Sequence, residues 1–156
     1  MTNNESSVRV FTIEQANAML PLVRAITADL VTLARDVVER RQRLASFAKR
    51  KATSAGDPYA EELASMQQAV ADDTERLQEY IAELRRLGLE PKGALDGLVD
   101  FPSNVDGRPV YLCWKLGEAE VTHWHELDAG FAGRQSLVAG VAADGEQDFD
   151  SPAEHD

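Results

Sequence analysis

One cysteine, Cys113, is all the chain has, so no disulfide can close within it. A small fold stapled by disulfides is excluded, and a reducing cytosol is the expected compartment. Positive charge is also scarce: 16 Lys and Arg stand against 27 Asp and Glu, a formal net charge of −11. Nucleic-acid binding needs clustered cations to meet phosphates, so nucleic acid is a poor candidate partner. No uninterrupted apolar run reaches the length of a bilayer span, and the polar start MTNNESS holds no apolar signal-peptide core. Neither membrane insertion nor export is expected, and the chain reads as cytoplasmic.

What is present fits one domain. Its 156 residues, 44% of them apolar, allow a modest core. That domain is expected over 1–139, as a helical hairpin (12–88), a β-meander (95–127) and a Gly-rich loop (128–139). Residues 140–156 carry Asp144, Glu146, Asp148, Asp150, Glu154 and Asp156 with no Lys or Arg. This acidic tail is expected to be disordered, because it has too little apolar surface to bury.

The fold class is expected to be α+β. Residues 1–8 read as a frayed arm and 8–11 as a short strand. Thr12 and Gln15 have capping-box spacing, so a helix starts there. Pro21 lacks an N–H and is expected to kink or restart it. The apolar positions Val23, Ile26, Leu30, Leu33, Val37, Leu44 and Phe47 follow a heptad with Arg40 as its charged interruption. Residues 53–58 read as a turn. A second heptad runs through Leu63, Met66, Val70, Leu77, Tyr80, Leu84 and Leu87, interrupted by Asp73. Gly88 then Leu89 suggests a Schellman stop, with Pro91 beyond it. Two long helices joined by a short turn pack antiparallel. Aligning the heptads at a constant residue-number sum of 110 puts Arg40 and Asp73 in adjacent layers, within reach of each other.

From Leu95 the period changes. Residues 98–101, 110–114 and 121–125 are short and rich in β-branched and aromatic side chains, punctuated by Asp96-Gly97, Asp106-Gly107 and Leu116-Gly117. This predicts a three-stranded antiparallel meander, packed on the hairpin near Leu22, Leu30 and Leu84.

The runs GLVDFP (97–102), CWKLGE (113–118) and WHEL (124–127), together with FTIEQANAMLPLVR (11–24), carry a resemblance. From Phe11 to about Leu137 the chain resembles a bacterial family, domain of unknown function 2203. The resemblance implies a helical hairpin with a small β part and assigns no reaction.

His123 and His125 sit two apart on a predicted strand, so both rings face one side. That spacing suits two ligands of a transition metal, and Cys113 joins them only if the hairpin register opposes 113 to 123. Glu118 and Glu126 are further candidate ligands. The plainer reading is a hydrogen-bonded histidine in a half-buried sheet. Gly130 to Arg134 could cradle an anion through backbone N–H groups and a guanidinium. Alternatively Arg134 pairs with a local carboxylate, Asp128 or Glu126. Trp114, Trp124 and Phe131 could line a pocket but suit the core of a small sheet. Cys113 could act as a nucleophile with His123 as base, or be an inert buried thiol.

Two function classes follow. The first is an interaction module, homodimeric through the hairpin or binding another protein, suggested by the heptads and a second apolar stripe at Val31, Val38 and Ala45. The second is a small metal- or anion-binding protein or enzyme. Its candidate metal ligands are His123, His125 and Cys113, and its candidate anion site is Arg134, Glu126 and Asp128.

Overall fold

The computed structural model describes residues 9–50 and 58–137. The arm over 1–8, most of the turn over 53–58 and the acidic tail over 140–156 lie outside the described residues. Helix α1 spans Ile13–Arg50 and α2 spans Pro58–Arg86. Five strands follow: β1 (Glu90–Gly93), β2 (Leu98–Val105), β3 (Arg108–Lys115), β4 (His123–Glu126) and β5 (Gln135–Ser136). They form one antiparallel sheet in sequential order. The protein is therefore α+β, a two-helix hairpin with a β-meander.

The ends of these elements are set by local chemistry. The Thr12 and Gln15 side chains each accept from the other's backbone N–H, at 2.9 and 3.0 Å, which completes the capping box. Helix α1 then passes through Pro21 without a second start, while Ala16, Leu20 and Val23 around it are buried in the core. Helix α2 ends as a Schellman motif. The Leu89 N–H donates to the Leu84 carbonyl at 3.1 Å and the Gly88 N–H to that of Arg85 at 2.9 Å. Gly88 holds φ +93°, which favours glycine. At the β2–β3 turn Asp106 (φ 55°) and Gly107 (φ 76°) form a two-residue hairpin loop of the kind that matches strand twist.

Two expectations about the sheet change. It has five strands rather than three, and β4 begins at His123 rather than Val121. The added β1 and β5 are short edge strands. Pro91 is tolerated in β1 because an edge strand leaves N–H positions unpaired. Residues 9–11 form no strand, although the Phe11 N–H donates to the Pro102 carbonyl at 2.8 Å and Ser103 Oγ donates to the Phe11 carbonyl at 2.6 Å.

One face of the sheet packs on the helices. Val99, Phe101, Val110, Leu112, Trp114 and Trp124 meet Ala16, Leu20, Val23, Ile26 and Leu30 of α1 and Leu84 of α2. Burying a side chain of the larger kinds stabilises by about 1.5–3 kcal/mol. Phe11 meets Phe101 edge to face at 5.5 Å, and the Asn17 side chain accepts from the Val121 N–H at 2.7 Å. Leu22, expected under the sheet, points outward and is half exposed. Val31 is buried, with a methyl against Gly97, so the chain's own β part covers the start of the second stripe. Within α1 an 18-residue window is long and apolar enough to cross a membrane by length and composition, with mean hydropathy 1.3. A core helix has the same composition, and in this fold its apolar positions lie against the sheet.

Beyond Val37 and Asp73 the hairpin continues without the sheet. Leu44, Phe47, Leu63, Met66 and Val70 are only half-buried there, and Val38 is exposed. At this boundary the two charged interruptions meet: Arg40 donates to the Asp73 carboxylate, and Arg76 lies 3.5 Å from its other oxygen. Next to them Arg41 donates to Thr74 Oγ1 at 3.1 Å.

Asp73 is nearly buried, whereas the Arg40 side chain is 45% exposed and can rehydrate when its partner is lost. Asp73→Ala is expected to cost about 1–2 kcal/mol in urea unfolding. A double-mutant cycle with Arg40→Ala should return a coupling of about 0.5–1 kcal/mol. A coupling of zero would show that the pair does not hold the two helices together.

Candidate functional site

Strand side chains alternate between faces. Because Val99, Phe101, Leu112, Trp114 and Trp124 face the helices, Asp100, Cys113, His123 and His125 lie on the opposite, outer face. The register places Asp100 opposite Cys113 and Cys113 opposite His123 in one row across β2, β3 and β4. The next row holds Pro102, Tyr111 and His125.

Although neither α1 nor α2 covers this face, three of its polar residues are as buried as the core. Asp100 and Cys113 are 1% exposed and His125 is 2% exposed. Ligand-type atoms from all three lie within 4.8 Å of one another. His125 Nδ1 is 2.7 Å from the Glu126 carbonyl oxygen, which can only accept, so Nδ1 carries a proton. His125 Nε2 lies 3.1 Å from both Asp100 oxygens. The ring and the carboxylate are thus joined by a hydrogen bond. The Cys113 thiol donates to Asp100 as well. Tyr111 packs against the His125 ring at 5.5 Å, and Lys92 sits over Tyr111.

Burial dominates the electrostatics. It raises the Asp100 carboxyl above its ordinary value, although the charge and hydrogen bond of His125, the thiol and Lys92 all pull the other way. Burial, reinforced by the Asp100 charge, pushes the Cys113 thiol up to about 11, against the opposing pull of Arg134. Cys113 is thus a thiol at neutral pH, hydrogen-bonded to a carboxyl group, and is not set up as a nucleophile with His123 as its base. His123 is half-buried, and its Nδ1 lies 2.9 Å from Thr122 Oγ1. Burial and the Arg134 charge lower its pKa, while Glu118 acts in the opposite sense.

The remaining sequence candidates are distributed otherwise than expected. Arg134 pairs with Glu118 rather than with Asp128 or Glu126. The two are joined by a fork, Nη1 to Oε2 at 2.9 Å and Nη2 to Oε1 at 2.7 Å, and Nη2 also donates to the Cys113 carbonyl at 3.3 Å. Burial opposes the ionisation of Glu118, but the fork and the Lys115 N–H outweigh it and hold the carboxyl below its ordinary range. Glu118 and the Cys113 carbonyl thus take up both terminal nitrogens of Arg134, while its buried Nε has no partner among the described residues. Glu126 pairs with Arg108 instead, and Asp128 is exposed. Trp114 and Trp124 are core, whereas Phe131 is 44% exposed beneath Arg134 and Lys115.

Asp100 is the residue that spacing arguments missed. Its signal was present: a lone carboxylate between Leu98-Val99 and Phe101 in a buried strand must find partners.

The elevated thiol gives an alkaline prediction. Between 9.0 and about 11 the folded chain keeps a Cys113 proton that the unfolded chain has released. The folded state then binds more protons, so stability is complete below pH 9 and falls as pH rises towards 11. The loss is on the order of 3 kcal/mol. Unfolding curves across this range should show the decline in the native chain and a shallower one in Cys113→Ala; equal slopes would contradict the assignment.

No curated protein and no solved structure matches the chain. The family model for an uncharacterized conserved protein (DUF2203) matches residues 9–137, a span that holds both helices, all five strands and the Asp100, Cys113 and His125 cluster. The chain belongs to this family.

Proposed function

We propose that this protein is a small metal-binding protein, with Asp100, Cys113 and His125 holding one transition-metal ion. The observation that carries the reading is the convergence of three unlike donors from three adjacent strands within 4.8 Å, all but sealed from solvent. A sulfur, an imidazole nitrogen and a carboxylate oxygen form a mixed set suited to zinc. Three protein ligands leave a fourth position, which a single buried water could fill. The Nδ1–H bond to the Glu126 carbonyl fixes the ring so that Nε2 is the nitrogen presented to the ion. His123, opposite Cys113 in the register, borders the site rather than joining the three.

Binding must displace the thiol proton and break the hydrogen bond between His125 and Asp100. With the thiol at about 11 in the ion-free chain, affinity should rise with pH through the neutral range. Elemental analysis of untagged protein is expected to find about one zinc-class ion per chain. His125→Ala and Asp100→Ala should lose it while helical circular dichroism persists, because the helix seam does not pass through the site. If the native chain neither carries an ion nor takes up zinc at micromolar concentration, the cluster is a structural hydrogen-bond network and the reading fails.

We also propose that the chain pairs with a second copy through the hairpin stem, within the cytosol. The stem beyond Val37 and Asp73 has a seam that one pair of helices only half covers, with Val38 of the second stripe exposed beside it. There α1 carries Arg40, Arg41, Arg43 and Lys49 with one acid, Glu39, while α2 carries Glu61, Glu62 and Asp72. A two-fold antiparallel arrangement would bring the basic helix of each copy to the acidic helix of the other. Light scattering at micromolar concentration should report twice the 17.1 kDa chain mass. Val38→Asp should return it to a monomer, and a monomeric native protein would refute the pairing.

A further inference from the structure

A cleft of about 480 Å³ opens where the C-terminal end of α2 meets β1 and the outer face of the sheet. Arg9, Arg85, Arg86, Glu90, Pro102 and Tyr111 line it. Three arginines and one glutamate thus line it, on a molecule whose net charge is −11. Such a local excess of positive charge opposes the character of the whole chain, so the summed charge does not account for it.

The C-terminus of a helix carries about half a negative charge, which argues against an anion nearby. Here that end is already satisfied. The Schellman bonds use the Leu84 and Arg85 carbonyls, and Arg9 Nη1 donates to the Leu87 carbonyl at 3.0 Å. Gly88 makes room for this: a Cβ there would lie 3.0 Å from the Arg9 Cδ. Arg85 is 3.2 Å from Glu90. Among the described residues Arg86 has no ion-pair or hydrogen-bond partner. Even with half a charge taken by the helix end and a whole one by Glu90, the cleft keeps an excess of more than one positive charge.

We infer that this cleft binds a small phosphate-bearing molecule. A carboxylate can occupy one guanidinium fork, whereas a phosphate or diphosphate offers enough oxygens for two or three. The volume lies in the range of small-molecule sites. Pro102 and Tyr111 give one wall an apolar surface for the part of the ligand that carries no charge. Tyr111 also packs on His125, so this wall separates the cleft from the Asp100, Cys113 and His125 cluster. The inference does not depend on a metal in that cluster.

Calorimetry of the full-length chain with inorganic phosphate, pyrophosphate and phenyl phosphate tests it. Pyrophosphate or phenyl phosphate should bind saturably, one per chain, and more weakly as salt rises. Tighter phenyl phosphate would indicate a phosphomonoester, tighter pyrophosphate a free polyphosphate. Arg86→Ala removes an exposed, unpartnered side chain, so folding should be unchanged, and binding should weaken about fivefold or more. Arg85→Ala with Arg86→Ala should weaken it further, while Cys113→Ala, which disables the proposed metal site, should leave it intact. The inference is overturned if no probe saturates at millimolar concentration or if the arginine variants bind as the native chain does. Loss of binding in a folded Cys113→Ala variant would also overturn it, by placing the anion at the cluster instead.

Discussion

A β-strand presents every second side chain to the opposite face, and in this protein α1 and α2 both lie against one and the same face of the sheet. That single constraint organises the rest. Val99, Phe101, Leu112, Trp114 and Trp124 go to the helical side, so Asp100, Cys113 and His125 must go to the other. Buried there without partners, each polar group would cost a few kcal/mol. They are tolerated because they satisfy one another. His125 is held between a carboxylate and a carbonyl, and Cys113 donates to the same carboxylate. The Arg134–Glu118 fork beside Cys113 and the Lys92–Tyr111 stack beside His125 belong to the same face.

Features governed by near neighbours in the chain were legible in the sequence. The Thr12–Gln15 box, the Gly88 stop and the Asp106-Gly107 turn each depend on a few adjacent residues and their allowed φ angles. The meeting of Arg40 and Asp73 was legible for a different reason. Two charges interrupting two facing apolar seams have few other places to go. The edge strands were not legible. Glu90–Gly93 contains a proline and a glycine, and Gln135–Ser136 is two residues long, so neighbouring strands define them rather than their own propensity.

The candidate site was legible only in part. Spacing coupled His125 to His123, and alternation does put both on one face. The side chains that cluster with His125, however, come from other strands and along the diagonal: Asp100 is 25 residues away and Cys113 is opposite His123, not His125. A pattern confined to one strand cannot reveal a diagonal across three. Arg134 shows the same limit. Its nearest carboxylates in sequence were Asp128 and Glu126, yet the turn after β3 brings Glu118 to it.

The contacts that close the fold join its two ends. Phe11 bonds to Pro102 and Ser103, and Asn17 to Val121, partners 91 to 104 positions apart. A ribosome delivers residues in order, at roughly 5–20 per second. For several seconds, then, α1 has emerged while the strands that cover it are still to be made. Its partner α2 arrives first but shields only one stripe. Val23, Ile26 and Leu30 wait uncovered until β3 and β4 leave the exit tunnel. The nascent chain is therefore most exposed to wrong partners late in its synthesis, and roughly the final third of the matched region decides whether the hairpin is ever sealed.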